Sequence, residues 1–145
     1  MNNQPIVVEK TYDAPVAQVW AAISNKDEMK KWYFDLKEFK AVPGFTFSFK
    51  GGPSPEKQYL HLCEVIEAIP QTKLCYSWRY DGYPGNSLVS FELTPQGNKT
   101  LLRLTHEGLD SFPADEPDFA SKNFEQGWEE IINKSLTGYL QKTVD

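Results

Sequence analysis

A chain of 145 residues with a formal charge of −5 and a pI near 5.1 lacks the basic excess that nucleic acid or an anionic membrane surface selects, so neither is expected as a partner. No apolar run is long enough for membrane insertion and no signal-peptide pattern precedes the first charges, which predicts one cytoplasmic domain over residues 1–145. Cys63 and Cys75 are then expected as free thiols, and with no metal-ligand spacing or glycine-rich phosphate loop, no cofactor is expected.

In chain order, Ile6 to Tyr12 alternates as a strand. Asp13-Ala14-Pro15 offers a cap and an early proline for a helix whose face is Val16, Val19, Trp20 and Ile23. Ser24 or Asn25 caps a second short helix, with Asp27 and Glu28 in its first turn and an end near Lys31. Trp32-Tyr33-Phe34 come at once after it. Three consecutive aromatics cannot all enter one core, so they read as a rim or gate, or in part as loop anchors.

Strand-like runs come next. Leu36 to Val42 leads to a Pro43-Gly44 turn, after which Phe45, Phe47 and Phe49 alternate with polar residues. Gly51 to Pro55 is a loop by composition. Tyr59 to Ile69 is a long strand, turned by Pro70-Gln71 into Leu74, Tyr76, Trp78 and Tyr80. Glycine and proline at 82 to 85 mark a turn before Ser87 to Thr94, where Val89, Phe91 and Leu93 share a side. Gln96-Gly97-Asn98 connects a hairpin to Thr100–His106, which sets Leu102, Leu104 and His106 on one face. The acidic stretch from Glu107 to Pro117 reads as a loop.

Asp118 to Val144 is the long helix, with Phe124, Trp128, Ile131, Ile132, Ser135, Leu136 and Tyr139 on one face. Ala120, Gly127 and Gly138 form a small-residue shoulder beside that face. A glycine inside a helix costs roughly 1 kcal/mol relative to alanine. Gly127 therefore predicts a close approach beside Trp128, either room for a ligand or relief of helix–sheet crowding. Segregated helices and hairpin-linked strands indicate an α+β fold, a curved antiparallel sheet around the long helix with two short helices after the first strand.

Chemistry is thinly signalled. His106 shares a face with Leu102 and Leu104, and His61 one with Tyr59, Cys63 and Val65. Histidines so placed are expected chiefly as satisfied core or rim residues, with acid–base catalysis as the alternative. No serine, cysteine or carboxylate pairs with either by spacing, so no catalytic residue is assigned. Arg79 is expected to point outward, and the acids from Asp110 to Asp118 to be solvated.

The order of elements carries a resemblance. Tyr12 to Val16 with Val19-Trp20, the Trp78 strand end, Phe91-Glu92-Leu93, Thr105-His106 with Gly108, and Gly127-Trp128 with Leu136 and Leu140 resemble the START-like SRPBCC superfamily. The branch is the one named for the activator of heat-shock protein 90 ATPase. The resemblance covers nearly the whole chain and implies a helix-grip (Bet v-like) fold with a cavity between sheet and C-terminal helix. The aromatic residues expected to line it are Phe47, Phe49, Tyr76, Trp78, Phe91, His106, Phe124 and Trp128, beside the Gly127 notch, with Trp32 and Phe34 at the gate. The function this implies is binding of a small apolar molecule, as carrier or sensor. Relatives imply two alternatives: a stress-related co-chaperone acting on a chaperone of the heat-shock protein 90 class, and an enzyme of the polyketide cyclase type. The co-chaperone role is expected to stand behind ligand binding, because the eukaryotic activator relies on a separate N-terminal domain.

Overall fold

A computed structural model describes residues 5–32, 38–54, 56–113, 119 and 121–144. Strand β1 (Ile6–Tyr12) is followed by helices α1 (Val16–Ser24) and α2 (Lys26–Trp32). Strands β2 (Thr46–Ser54), β3 (Lys57–Ile69), β4 (Lys73–Tyr80), β5 (Ser87–Gln96) and β6 (Lys99–Glu107) come next. They form one antiparallel sheet in the order β1-β6-β5-β4-β3-β2, so the first strand pairs with the last, Ile6 opposite His106 and Tyr12 opposite Thr100. Period-two alternation sends Tyr59, His61, Cys63 and Val65 of β3 to the concave side, together with Val89, Phe91 and Leu93 of β5. Phe47, Phe49, Tyr76 and Trp78 join them.

The short helices close one end. Asn25 caps α2 by accepting the backbone N–H of Asp27 at 2.9 Å and of Glu28 at 3.4 Å. Asp13 does not cap α1. The cap position is Pro15, with no side-chain hydrogen bond, and its carbonyl takes the N–H groups of Gln18 and Val19 directly.

Two strand expectations fail. In Leu36–Val42, residues 38–41 lie in no ladder and residues 36–37 fall outside the described residues. Phe39 anchors the segment by its side chain, buried edge-on against Phe47 at 5.1 Å. The Gly51–Pro55 stretch, expected as loop, instead continues β2 to Ser54, with Gly51 opposite Tyr59 and a register shift before Ser54 pairs with Lys57. Glycine and proline in a strand mark such irregular edges.

The long helix is α3 (Ser121–Glu130), one π turn (Ile131–Ser135) and α4 (Leu136–Val144). Asp118, its expected start, lies outside the described residues. In the π turn the Leu136 N–H reaches back five residues to the Ile131 carbonyl. The next carbonyl, Ile132, receives the Tyr12 hydroxyl at 2.7 Å and the Thr137 hydroxyl at 3.1 Å. Tyr139 ties α4 to α2 by donating to Glu28 at 2.8 Å. Trp128, Ile132, Leu136 and Leu140 are buried against the sheet.

Gly127 overturns its expectation. It is exposed, and a Cβ built on it would meet nothing within 4 Å. It makes room neither for a ligand nor for the sheet. The cysteines are free and buried. Cys63 lies on the inward side of β3, whereas Cys75 alternates with the inward Leu74 and Tyr76, so the two thiols sit on opposite sheet faces. No helix among the described residues is long and apolar enough to cross a membrane.

Candidate functional site

The concave face is walled by aromatic rings that touch in series. Phe47 meets Tyr76 edge-on at 5.2 Å, Phe49 meets Trp78 at 5.7 Å, and Trp78 meets Trp128 of the helix at 5.7 Å. Phe91 meets Trp128 at 6.0 Å, and Phe124 meets His106 at 5.3 Å. These separations and largely edge-to-face angles are those that aromatic pairs favour. The rings arrive from β2, β4, β5, β6 and the helix, because alternate strand positions and one helix stripe converge on the same layer.

A chain of hydrogen bonds runs through the middle. Trp128 Nε1 donates to His106 Nδ1 at 2.9 Å. His106 Nε2 lies 2.8 Å from Ser87 Oγ, and Ser87 Oγ donates to the Trp78 carbonyl at 2.8 Å. The indole N–H can only donate, so Nδ1 is the acceptor and the proton of the neutral ring sits on Nε2. Every donor then points the same way along the chain. Burial holds His106 far below the usual histidine range, at about 3.

His61 is held differently. Its Nδ1 donates to the Tyr59 carbonyl at 3.0 Å, with the Phe49 carbonyl at 3.3 Å. The ring stacks on Phe49 at 4.4 Å and takes Trp78 edge-on at 4.9 Å. Burial lowers its pKa to about 4, against the opposing pull of the two carbonyls.

Of the expected lining residues, the structure brings together Phe47, Phe49, Tyr76, Trp78, Phe91, His106, Phe124 and Trp128. Trp32 is elsewhere: its side chain is buried in the core and donates to the Ala22 carbonyl at 2.9 Å, so it packs α2 on α1 and stands at no rim. Phe34 lies outside the described residues. Gly127 faces away from the wall. Sequence reasoning passed over Ser87, whose place at a strand start gave no sign of its bond to His106. It also passed over Phe112, hidden in a stretch that reads as acidic loop, and Phe119, at the expected start of the long helix.

This arrangement is poorly made for catalysis. An acid–base histidine needs a nitrogen free to take a proton, and both of His106 are committed, one of them to a donor. Ser87 spends its own proton on a backbone carbonyl, so the Ser87–His106 pair is oriented against nucleophile activation. Among the described residues no three His, Cys, Asp or Glu side chains are grouped to hold a metal ion. Elsewhere on β2, β3 and β4, Thr46, Phe47, Ser48, Leu62, Cys63, Glu64, Ser77 and the exposed Arg79 border an open groove of about 320 Å³. There the Ser77 hydroxyl, not a backbone carbonyl, accepts the Glu64 N–H at 3.0 Å.

The family described as Activator of Hsp90 ATPase homolog 1-like protein matches residues 13–141. Among solved structures, protein MLL2253 from Mesorhizobium loti superposes with a TM-score of 0.75 at 25% identity, covering 97% of this chain and 98% of that one. CalU16 from Micromonospora echinospora gives 0.70 at 26% identity, covering 94% and 75%. DynU16, a protein in the dynemicin biosynthetic locus, gives 0.76 at 21% identity, covering 97% and 48%. No curated protein matches the chain. With the helix-grip architecture in place and the match spanning all elements from α1 to α4, the chain belongs to the Activator of Hsp90 ATPase homolog 1-like family within the SRPBCC superfamily.

Proposed function

We propose that this domain binds a small, largely apolar molecule between the concave face of the sheet and the α3–α4 helix. The observation that carries the reading is the composition of the wall. It is built from rings of both layers, while the polar atoms among them bond to one another; among the described residues no buried side-chain nitrogen or oxygen lacks a partner. An occupant therefore meets ring faces and edges, the surface that apolar ligand sites present. Rigid aromatic side chains, with two rotatable bonds each, hold such a surface at low entropic cost. The place of DynU16 in a biosynthetic locus is in keeping with a fold used beside small-molecule synthesis.

A native mass spectrum of freshly purified protein, searched for a retained small molecule, tests this first. Titration with a panel of apolar ligands comes second, with Trp78 and Trp128 as fluorescent reporters inside the wall. No saturable change for any ligand, together with a crystal structure whose interior is filled by side chains, would leave packing as the whole account. The family description also names an ATPase activator. Little or no stimulation of a purified heat-shock protein 90 ATPase by this chain alone is expected; a several-fold, saturable stimulation would put the co-chaperone reading first.

A further inference from the structure

Beside the inner wall stands a second aromatic cluster, built around Phe119. The Phe119 ring stacks on Tyr80 at 4.5 Å with 18° between planes. Tyr83 meets it edge-on at 5.1 Å and 90°, Tyr59 lies at 5.1 Å, and Phe112 at 5.7 Å. Four rings from separate elements thus surround one flat guest, with a parallel partner in Tyr80, an edge-on partner in Tyr83 and tilted partners in Tyr59 at 53° and Phe112 at 44°; the stacked and edge-on contacts are those aromatic quadrupoles favour.

Three of the walls are also held by contacts other than those to the guest. Tyr80 is held from behind, its hydroxyl accepting the Trp78 Nε1 proton at 2.9 Å. Tyr59 sits inside β3, where its neighbour Gly51 registers it against β2. Phe112 is clamped by the loop beyond β4: a Cβ on Gly85 would lie 2.7 Å from the Phe112 ring and 2.5 Å from the Ser111 carbonyl, so backbone and ring are already in contact. Ser111 secures that junction by accepting the Asn86 N–H at 2.9 Å. Tyr83 closes the outer side and is 37% exposed, so the box opens toward solvent. Inward, Tyr80 leads to Trp78 and Phe112 stacks on Phe124 at 6.2 Å, which joins the box to the inner aromatic wall.

We propose that Tyr59, Tyr80, Tyr83 and Phe112 form a receiving site for a flat, uncharged aromatic ring, and that Phe119 is the chain's own occupant, exchanged for the ring of an incoming ligand. This rests on the ligand-binding reading and gives it a substrate class, molecules carrying a planar aromatic ring. Walls set in advance favour a guest of the shape already present, because no ordering of the site accompanies its entry. A self-occupied site binds in proportion to the fraction of molecules in which it is vacant, so Phe119 lowers the apparent affinity.

The test uses N-phenyl-1-naphthylamine, an uncharged fluorescent probe, on the full chain. With isotope-labelled wild-type protein, the probe's ring protons should give intermolecular nuclear Overhauser effects to the rings of Tyr80 and Tyr83. Phe119→Ala should bind the probe at least tenfold more tightly than wild type. Phe119→Leu, which keeps an apolar side chain of similar bulk and guards against loss of folding, should bind several-fold more tightly. Contacts from the probe to Trp128 and Phe124 but none to Tyr80 or Tyr83 would overturn the box and leave the inner aromatic wall as the site. No saturable binding to wild type or either variant would overturn the box and take this ligand class from the broader reading as well.

Discussion

The indole of Trp128 donates to His106 Nδ1 at 2.9 Å, so one bond between the long helix and the last strand decides which histidine nitrogen carries the proton. Trp128→Phe keeps an aromatic ring but strands a buried acceptor. A loss of at least about 1–3 kcal/mol is expected at neutral pH, the usual penalty for an unsatisfied buried group. The gap between wild type and variant should narrow below pH 5, because a protonated His106 no longer faces a donor in the variant. Urea denaturation at pH 7 and pH 4 checks both statements; equal stability at pH 7 would show that the bond contributes nothing.

Acid should destabilise the fold through its two histidines. His106 and His61 have folded-state values of about 3 and about 4, both below the ordinary 6.5. Between those values and 6.5 the unfolded chain binds more protons than the folded one, so stability rises with pH. The contribution is fully present above 6.5 and is lost as pH falls through 6.5 toward 4, at up to about 1.4 kcal/mol per pH unit for each ring. Denaturant midpoints measured from pH 7.5 to 4.5 test this, and a curve flat down to pH 5 would contradict it.

Gly127→Ala should stabilise by about 0.5–1 kcal/mol, since the site is exposed and open and only helix propensity changes. Gly127→Leu should likewise fold and leave ligand uptake unchanged. Thermal unfolding and the fluorescence titration decide; a destabilised leucine variant would mean that something does approach this backbone.

How much of each element the sequence disclosed depends on the forces that fix it. Strand alternation is local, so Ile6–Tyr12 and the inward faces of β3 to β6 were legible, as were the α+β class and the helix-grip wrap. The core of the wall was legible too, because Phe47, Tyr76, Phe91 and Trp128 sit at regular positions on periodic elements. Trp32 misled because an aromatic run looks like a rim until the fold supplies the Ala22 carbonyl. Gly127 misled because propensity alone assigns every helical glycine a neighbour. The cluster of Phe112 and Phe119 was not legible, the first lying in an expected loop and the second at the expected helix start, since ring contacts between separate segments have no period to betray them.

Two glycines of positive φ should respond very differently to alanine. Gly97, at φ +67°, has open space around its Cβ direction, whereas Gly85, at φ +107°, is pressed on the Ser111 carbonyl and Phe112. Gly97→Ala should lose about 1 kcal/mol through backbone strain alone. Gly85→Ala adds overpacking and should lose at least about 2 kcal/mol. Thermal unfolding of the pair measures the difference, and similar losses would show that the loop junction yields freely.

Trp128, Ile132, Leu136 and Leu140, the buried residues of the long helix between 122 and 140, recur every fourth position. At about 100° per residue an α-helix overshoots by about 40° at each such step, so the stripe would wander by about 120° from 128 to 140. The π turn at Ile131–Ser135 absorbs one residue and rotates α4 back by roughly the 100° that residue represents, which all but straightens the stripe. A beat of four is thus the phase record of the wide turn, written in the sequence itself. Deleting one residue there would return the helix to ordinary bonding and swing Tyr139 off Glu28 and Leu140 out of the core.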